Sequence, residues 1–367
     1  MHVKTTVIAI FFITFAGFNS VQKYIIFNSM SGPRCFVFCF VVLAAFGCAE
    51  PRFDADITSV DYEARFIRLD REVFALDTDH PLPRYNALTE EHRSIFGDYV
   101  EDIMRVGSVE NPMTASLLMR FTSAPEWRGL QEHVESVFPD LKPFEAELGR
   151  ALKRYAVLFG KNELPELAAY NSGFNVGIYP SDDWLGVGLE WYAGSDHKYV
   201  KQLPPDLFPQ YKRDKMQPEY LVPNALRGWV LYTFRDLADE ENLLAEMVFA
   251  GKAAYITAAL LELTDAQRVL NYTEAQKDWC RKNEYDIWKS LVERDLIFID
   301  DPMEINKMMN DGPFTPGMPP ESPGGVGKWV GYRMVKQYVD KNPDLSLPAL
   351  MAEKDYRKIL KAYKPGR

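Results

Sequence analysis

Cys48 is the residue of this chain whose chemistry is most clearly marked by its neighbours. A short apolar run, Cys35 to Phe46, precedes it, and the small residues Ala45 and Gly47 stand close on its N-terminal side. A run of this length is typical of a signal peptide and is too short to span a bilayer. A peptidase would therefore cut before Cys48, whose thiol would then carry a thioether-linked lipid. The alternative is ordinary secretion with a retained thiol.

A lipoprotein signal divides the chain into a leader over residues 1–47, a tether over residues 48–59 and one globular domain over residues 60–367. The leader holds a second apolar run, Val7 to Phe18, which one signal does not require, so Met30 is a candidate for the true start. The three charged residues of the leader are all basic, so its removal changes the formal net charge from −10 to −13. Such an acidic chain argues against nucleic acid as a partner. We expect no membrane-spanning stretch after the leader and a lipid as the only anchor.

The histidines of the chain do not have the spacing of a zinc site. Zincin-type metallopeptidases bind zinc through two histidines four residues apart on a helix, and a glutamate between them activates water. No two of the five histidines here are four apart: His2, His80, His92, His133 and His197. A histidine-based zinc site of that type is therefore excluded. His92 and His133 are expected on solvated helix faces, and His197, between Asp196 and Lys198, is a weak candidate for a functional role.

Other reaction motifs are missing from the sequence. There is no Gly-x-Ser-x-Gly elbow, and the glycines of Gly324-Gly325-Val326-Gly327 lack the Lys and Ser or Thr of a phosphate-binding loop. Asp182 and Asp183 are interpreted as turn residues, because a calcium site needs more oxygen ligands. We therefore assign no catalytic, metal-binding or cofactor-binding residue, and expect no cofactor.

Aromatic residues and cysteines give two further expectations. Trp184, Trp191 and Tyr192 could form a sugar-binding platform, although burial in the core is the favoured interpretation. Cys280 has apolar neighbours and is expected to be a buried thiol. With Cys48 lipidated, Cys280 has no intrachain partner, so the chain has no disulfide framework.

The periodicity of apolar residues predicts an α+β fold that is predominantly helical. Helical periods precede a hairpin, at Phe66 to Asp77, Thr89 to Met104, Thr114 to Phe121, Trp127 to Phe138 and Pro143 to Phe159. Alternation between Tyr170 and Tyr192 predicts the hairpin, with its turn at Pro180-Ser-Asp-Asp183. Later helical periods are Ala225 to Phe234, Asn242 to Leu263, Thr273 to Arg294, Val326 to Val339 and Ser346 to Lys361. Residues 193–223 and 300–325 are predicted to be long loops.

Local signals refine two of these helices. Thr273-Glu-Ala-Gln276 has the pattern of a capping box, in which the two end side chains bond each other's backbone amides. Gly251 lies in the middle of a helical period, where glycine costs about 1 kcal/mol relative to alanine. We therefore expect Gly251 to permit close packing of another element.

The mature chain resembles the gliding-motility lipoprotein family GldB of Bacteroidetes over essentially its whole length. The segments that carry the resemblance are residues 66–77 (FIRLDREVFALD), 191–199 (WYAGSDHKY), 247–252 (MVFAGK), 284–288 (EYDIW) and 321–338 (ESPGGVGKWVGYRMVKQY). The resemblance implies a distant, metal-free relative of zincins, with Ala250 where such a peptidase would have an acidic ligand before the glycine. It also implies a membrane-anchored cell-envelope lipoprotein that works with gliding-motility and secretion proteins. It assigns no catalytic residue.

The leading hypothesis is thus a non-catalytic lipoprotein that supports a cell-envelope motility complex. One alternative is a degenerate zincin-like hydrolase, which would keep a cleft and use a mechanism without histidine. Another is a glycan-binding envelope lipoprotein, which would use exposed Trp184 or Trp191.

Overall fold

A mixed four-stranded sheet separates the two main apolar cores of the fold. The computed structural model describes residues 52–238 and 242–366. Its strands are β1 (Phe66–Arg68), β2 (Glu166–Tyr170), β3 (Ile178–Pro180) and β4 (Trp184–Gly188). Their order in the sheet is β1-β2-β4-β3, with β1, β2 and β4 parallel and β3 antiparallel to β4.

Alternate residues of β2 enter opposite cores. Leu167 and Ala169 belong to the larger core, which the C-terminal helices build, whereas Ala168 and Tyr170 belong to a core built by helices between β1 and β2. Parallel strands are normally covered by helices on both faces. All of β4 is buried for the same reason.

Helices make up most of the remaining described chain. Between β1 and β2 they are α1 (Leu69–Phe74), α2 (Leu82–Glu91), α3 (Arg93–Asp98), a π-helical turn (Tyr99–Ile103), α4 (Pro112–Ser123), α5 (Pro125–Val137) and α6 (Lys142–Phe159). After β4 come a 3-10 turn (Leu189–Tyr192), α7 (Lys198–Lys201), α8 (Gln210–Arg213), a 3-10 turn (Pro218–Tyr220), α9 (Leu221–Thr233), a 3-10 turn (Arg235–Leu237), α10 (Leu243–Leu260), α11 (Glu274–Lys282), α12 (Glu284–Glu293), α13 (Pro302–Met309), α14 (Val326–Lys341), α15 (Leu347–Ala352) and α16 (Tyr356–Ala362). The predicted class, α+β and predominantly helical, is confirmed.

The predicted hairpin is present but shorter than its alternating pattern. Strands β3 and β4 pair across the predicted turn, where the Ser181 amide donates to the Trp184 carbonyl at 2.9 Å. Phe174 was expected in the first strand, yet its φ of 68° lies in the left-handed region, so it belongs to a loop. Leu189 and Trp191 belong to the 3-10 turn rather than to the second strand.

Several predicted helix boundaries are wrong. The pattern from Phe66 to Asp77 predicted one helix, but its first three residues form β1, because pairing with β2 overrides local helical preference. The predicted helix from Thr273 to Arg294 divides at Asn283, and the one from Ser346 to Lys361 divides between α15 and α16. Both predicted long loops contain short helices, α7 and α8 in the first and α13 in the second. The segment from Thr89 to Met104 is likewise divided, into α2, α3 and the π-helical turn.

The two local signals are confirmed. Thr273 and Gln276 form a reciprocal capping box at the start of α11. Gly251 allows α10 to lie directly against α14, because a Cβ atom there would overlap the backbone of Gly331. A Cβ atom at Gly331 would in turn overlap the Met247 carbonyl. This pair of glycines therefore lets the backbones of α10 and α14 approach each other closely.

Helix α10 has the length and composition of a membrane span. Its 18 residues have a mean hydropathy of 1.4, so the sequence-based expectation of no such stretch after the leader is wrong. However, 72% of the helix is buried inside the fold, as is typical of the core helix of a globular domain.

The N-terminal end of the described chain is held against the larger core. Phe53 is half-buried there, and its carbonyl accepts a hydrogen bond of 2.6 Å from the Arg154 guanidinium. Tyr62 follows, with its hydroxyl donating to the Pro165 carbonyl at 2.8 Å. The chain from Phe53 onward forms one compact unit.

Candidate functional site

A cavity of about 270 Å³ with a mixed polar and apolar lining lies beside the start of α9. Five separate stretches of chain line it, and they supply aromatic, amide, cationic and acidic groups: Trp191, Tyr192, Tyr211, Lys212, Lys215, Met216, Asn224, Asn271 and Asp311. The predicted loop after the hairpin thus contributes a wall of the cavity. Sequence reasoning singled out Trp191 and Tyr192 but missed the other lining residues.

Helix α9 carries one lining residue of the cavity and a nearby cation. It places Asn224 in the cavity wall, and Arg227 follows three residues later, where the Nη1 atom donates to the Val269 carbonyl at 2.8 Å. Residues three apart on a helix share a face. This face of α9 therefore carries an amide and a guanidinium.

Three cations surround one carboxylate at the cavity. The Lys328 Nζ atom lies 2.7 Å from Asp311 Oδ1, and Lys215 and Arg227 also act on the Asp311 carboxylate electrostatically. Burial raises the pKa of Asp311, but the charges of Lys328, Lys215 and Arg227 outweigh that effect and lower it overall. Asp214 also acts on Lys215, and Lys212 lines the cavity, so four cations face two carboxylates and the net charge at the cavity is positive.

Lys215 is the least compensated of these cations. Its residue is only 9% exposed, and its ammonium has no hydrogen-bond or ion-pair partner within the described chain. The Nζ atom lies 5.9 Å from the centroid of the Tyr272 ring, which gives a weak cation–π contact. Burial lowers the pKa of Lys215, and the charge of Asp311 opposes that shift.

Three neutral polar atoms in the cavity wall are also without partners. Trp191 Nε1, Asn224 Oδ1 and Asn271 Oδ1 are buried, and none of them makes a hydrogen bond to another described residue. Asn271 has a φ of 59°, a left-handed conformation that asparagine tolerates better than most residues. Buried polar atoms are nearly always hydrogen-bonded in folded proteins. Five other buried polar atoms of the described chain also lack a partner, but these three belong to residues that line the cavity, where a ligand could bond them.

Tyr192 contributes a phenol that stays protonated. Burial raises the pKa of Tyr192 to about 12, although a hydrogen bond with Asn224 and the charge of Arg227 act in the opposite direction. At neutral pH the cavity thus presents a neutral phenol beside its cations.

Glu190 supports the aromatic wall of the cavity from behind. Its Oε1 atom accepts hydrogen bonds from the Ser172 amide at 2.9 Å, the Ser172 hydroxyl at 2.7 Å and the Phe174 amide at 3.1 Å. Phe174 in turn packs edge-on against Trp191, with ring centroids 6.0 Å apart. Glu190 is fully buried, and this burial raises its pKa to about 7. The role of Glu190 could not be predicted from the sequence, because the residues it bonds lie in a loop that the alternating pattern assigned to a strand.

His133 and His197 stack on each other at the edge of the loop that lines the cavity. Their ring centroids are 3.7 Å apart and the rings are inclined by 5°. His133 Nε2 also lies 2.8 Å from the Ala193 carbonyl, so the prediction that His133 lies on a solvated face is wrong. Burial, His133 and Lys198 together lower the pKa of His197. His92 is partly exposed at the end of α2.

The other candidate residues named from the sequence do not line the cavity. Trp184 is fully buried in the smaller core and its Nε1 donates to Asp98 Oδ2 at 2.8 Å, so it offers no sugar-binding surface. Cys280 is a buried thiol, as expected, and burial raises its pKa well above the ordinary value. Asp182 lies in the hairpin turn, 3.3 Å from the Arg235 guanidinium. Cys48 lies outside the described residues.

The described chain contains no group of side chains that could ligate a metal ion. Over residues 52–238 and 242–366, no three histidine, cysteine or acidic side chains are grouped so that they could hold a metal ion. Asp311, the acidic residue of the cavity lining, is already engaged by Lys328.

The fold and the cavity define a helical α+β protein with a polar, cationic pocket. A family model described as "Gliding motility protein GldB" matches residues 50–365, and the chain belongs to that family. Membership implies a lipoprotein related to gliding motility, and the family is not a known enzyme family. No curated protein and no solved structure matched the chain.

Proposed function

We propose that this protein is a lipid-anchored component of the cell envelope that supports gliding motility without catalysing a reaction. In this role it assembles with, or stabilises, the machinery that moves or secretes surface adhesins. The observation that carries the proposal is the extent of the family match, residues 50–365, which takes in nearly all of the described chain.

The composition of the cavity supports a non-catalytic role. A hydrolase without a metal needs a nucleophile and a base within hydrogen-bond reach of each other. The lining residues include no serine, threonine, cysteine or histidine, and the one lining carboxylate, Asp311, is paired with Lys328. These groups are suited to hold a ligand rather than to attack one.

The proposed anchor would keep the domain close to the membrane. Because Arg154 holds the Phe53 carbonyl, only the few residues between Cys48 and Phe53 separate the lipid from the folded body. At about 3.5 Å for each extended residue, that spacer reaches at most about 17 Å. The protein would therefore act beside the membrane surface rather than at the end of a long tether.

A complementation experiment tests the proposal. The gene is deleted in a gliding host, and the strain is complemented with the wild type, with Cys48→Ala or with Cys280→Ala as the matched cysteine control. We expect the deletion to stop colony spreading and adhesin movement, and the wild type and Cys280→Ala to restore both. Cys48→Ala should lose the lipid, as judged by mass spectrometry of the N-terminal peptide, and should fail to restore motility.

Two outcomes would contradict the proposal. Normal spreading of the deletion strain would remove the motility role. Full restoration by an unlipidated Cys48→Ala protein would show that the protein supports motility without a lipid anchor.

A further inference from the structure

Lys215 is an unusual group for the wall of a cavity. Its residue is 91% buried, because only 9% remains exposed, and its ammonium has no hydrogen-bonding or ion-pairing partner in the described chain. The Nζ atom reaches the surface of the cavity, and a largely buried charge without a partner is costly, so proteins usually pair or neutralise it. Asp311 is the nearest acidic lining residue, but Lys328 occupies its Oδ1 atom at 2.7 Å. The position thus favours a partner that comes from solution and carries negative charge.

The surrounding groups indicate the rest of that partner. Trp191 Nε1 is a free donor and Asn224 Oδ1 and Asn271 Oδ1 are free acceptors, so the wall can bond hydroxyl groups as well as an anion. Trp191, Tyr192 and Tyr211 add aromatic surface to the same cavity. A mixture of donors, acceptors and aromatic rings suits a polyhydroxylated ring. A volume of about 270 Å³ is close to the lower end of ligand pockets, so the ligand is small.

We propose that the cavity binds an acidic sugar-sized ligand, whose carboxylate or phosphate lies against Lys215 and whose hydroxyl groups bond Trp191, Asn224 and Asn271. Arg227 and Lys328 add to the positive potential that attracts the anion, whereas Asp311 weakens it. The cavity captures the ligand without changing it. This proposal does not depend on the motility role, because binding is measured on the purified protein.

Calorimetric titration of the full-length protein in detergent tests the proposal. The probes are glucuronate, which carries a carboxylate, glucose 6-phosphate, which carries a phosphate, and neutral glucose. We expect at least one anion to bind, with glucose about tenfold or more weaker, because a hydrogen bond to a charged group is stronger than one to a neutral group. Binding of glucuronate alone would identify a carboxylate ligand, and binding of glucose 6-phosphate alone would identify a phosphate ligand.

Three variants assign the binding to this cavity. Lys215→Met keeps the length of the side chain and removes its charge, so anion binding should weaken about tenfold or more. Lys161→Met is the matched control, since Lys161 is exposed at the end of α6, and it should bind as the wild type does. Asp311→Asn removes the competing carboxylate and frees Lys328, so it should bind the anion several-fold more tightly. A misfolded protein could not show that gain.

Four results of these measurements would overturn the proposal. The proposal is overturned if glucose binds as tightly as both anions, or if no probe binds at millimolar concentration. It is also overturned if folded Lys215→Met binds the anion as the wild type does, or if Asp311→Asn fails to tighten binding.

Discussion

Two buried polar clusters in this protein differ in how completely their hydrogen bonds are made. At the start of α1, the fully buried Asp70 carboxylate accepts two hydrogen bonds of 2.8 Å from Arg68 and one of 2.9 Å from Gln131. Gln131 in turn accepts a hydrogen bond of 3.1 Å from Asn171, at the end of β2. This first cluster joins a strand, two helices and a loop, and its charged group is well paired.

The second cluster, at the cavity beside α9, is left incomplete. The Lys215 ammonium, Trp191 Nε1, Asn224 Oδ1 and Asn271 Oδ1 have no hydrogen-bond partner in the part of the chain that is described. The Asp70 cluster shows that this fold can provide hydrogen-bond partners for its buried polar groups from within the protein. The unsatisfied set at the cavity therefore points to a ligand, and substitutions in the two clusters should have opposite consequences.

The largest effect is expected from Asp70→Asn. This change removes the negative charge of a buried ion pair and leaves Arg68 without its carboxylate partner, which typically costs about 3–5 kcal/mol of unfolding free energy. Urea denaturation followed by circular dichroism would measure it. Asp61→Asn, at an exposed position, should stay within about 0.5 kcal/mol of the wild type. A loss below 1 kcal/mol for Asp70→Asn would break the contrast between the clusters.

Glu190 should make stability depend on pH. Its pKa is raised from 4.5 to about 7 in the folded state, so the folded protein holds the proton more tightly than the unfolded chain does. The resulting stabilisation is fully present below pH 4.5 and is lost as the pH rises through about 7. Relative to Glu190→Gln, the wild type should lose about 3 kcal/mol of unfolding free energy over that range. A constant difference between the two proteins from pH 4.5 to 8 would contradict the assignment.

A smaller, local effect is expected from the stacked histidines. The folded-state pKa of His197 is lowered, so its neutral ring stabilises the fold above the unfolded value of 6.5, and that contribution is lost as the pH falls. Hydrogen exchange over residues 193–217, corrected for its intrinsic pH dependence, should therefore speed up between pH 7 and pH 5.5. His197→Phe, which keeps a stacking ring, should abolish this response, and the exposed-site control His80→Phe should retain it. An unchanged response in His197→Phe would rule out His197 as the titrating group.

The parts of the fold that were predictable have local causes. The helical periods of α6, α10 and α14 and the capping box at Thr273 depend on neighbouring residues in sequence. Gly251 predicted close packing, but its partner Gly331 is known only from the folded chain. Strand β1 was not predictable, because three residues become a strand only when β2 lies beside them. The cavity could not be predicted either, because its lining residues come from five stretches between Trp191 and Asp311 that only the folded chain brings together.

The direct test of the contrast between the two clusters is the unfolding free energy of Lys215→Met, measured beside that of Asp70→Asn without any ligand. If the cavity is built for binding, Lys215→Met will be as stable as the wild type or about 1 kcal/mol more stable, because an unpaired buried charge has been removed. A loss of several kcal/mol, similar to that of Asp70→Asn, would show that Lys215 holds the fold together and would contradict the account.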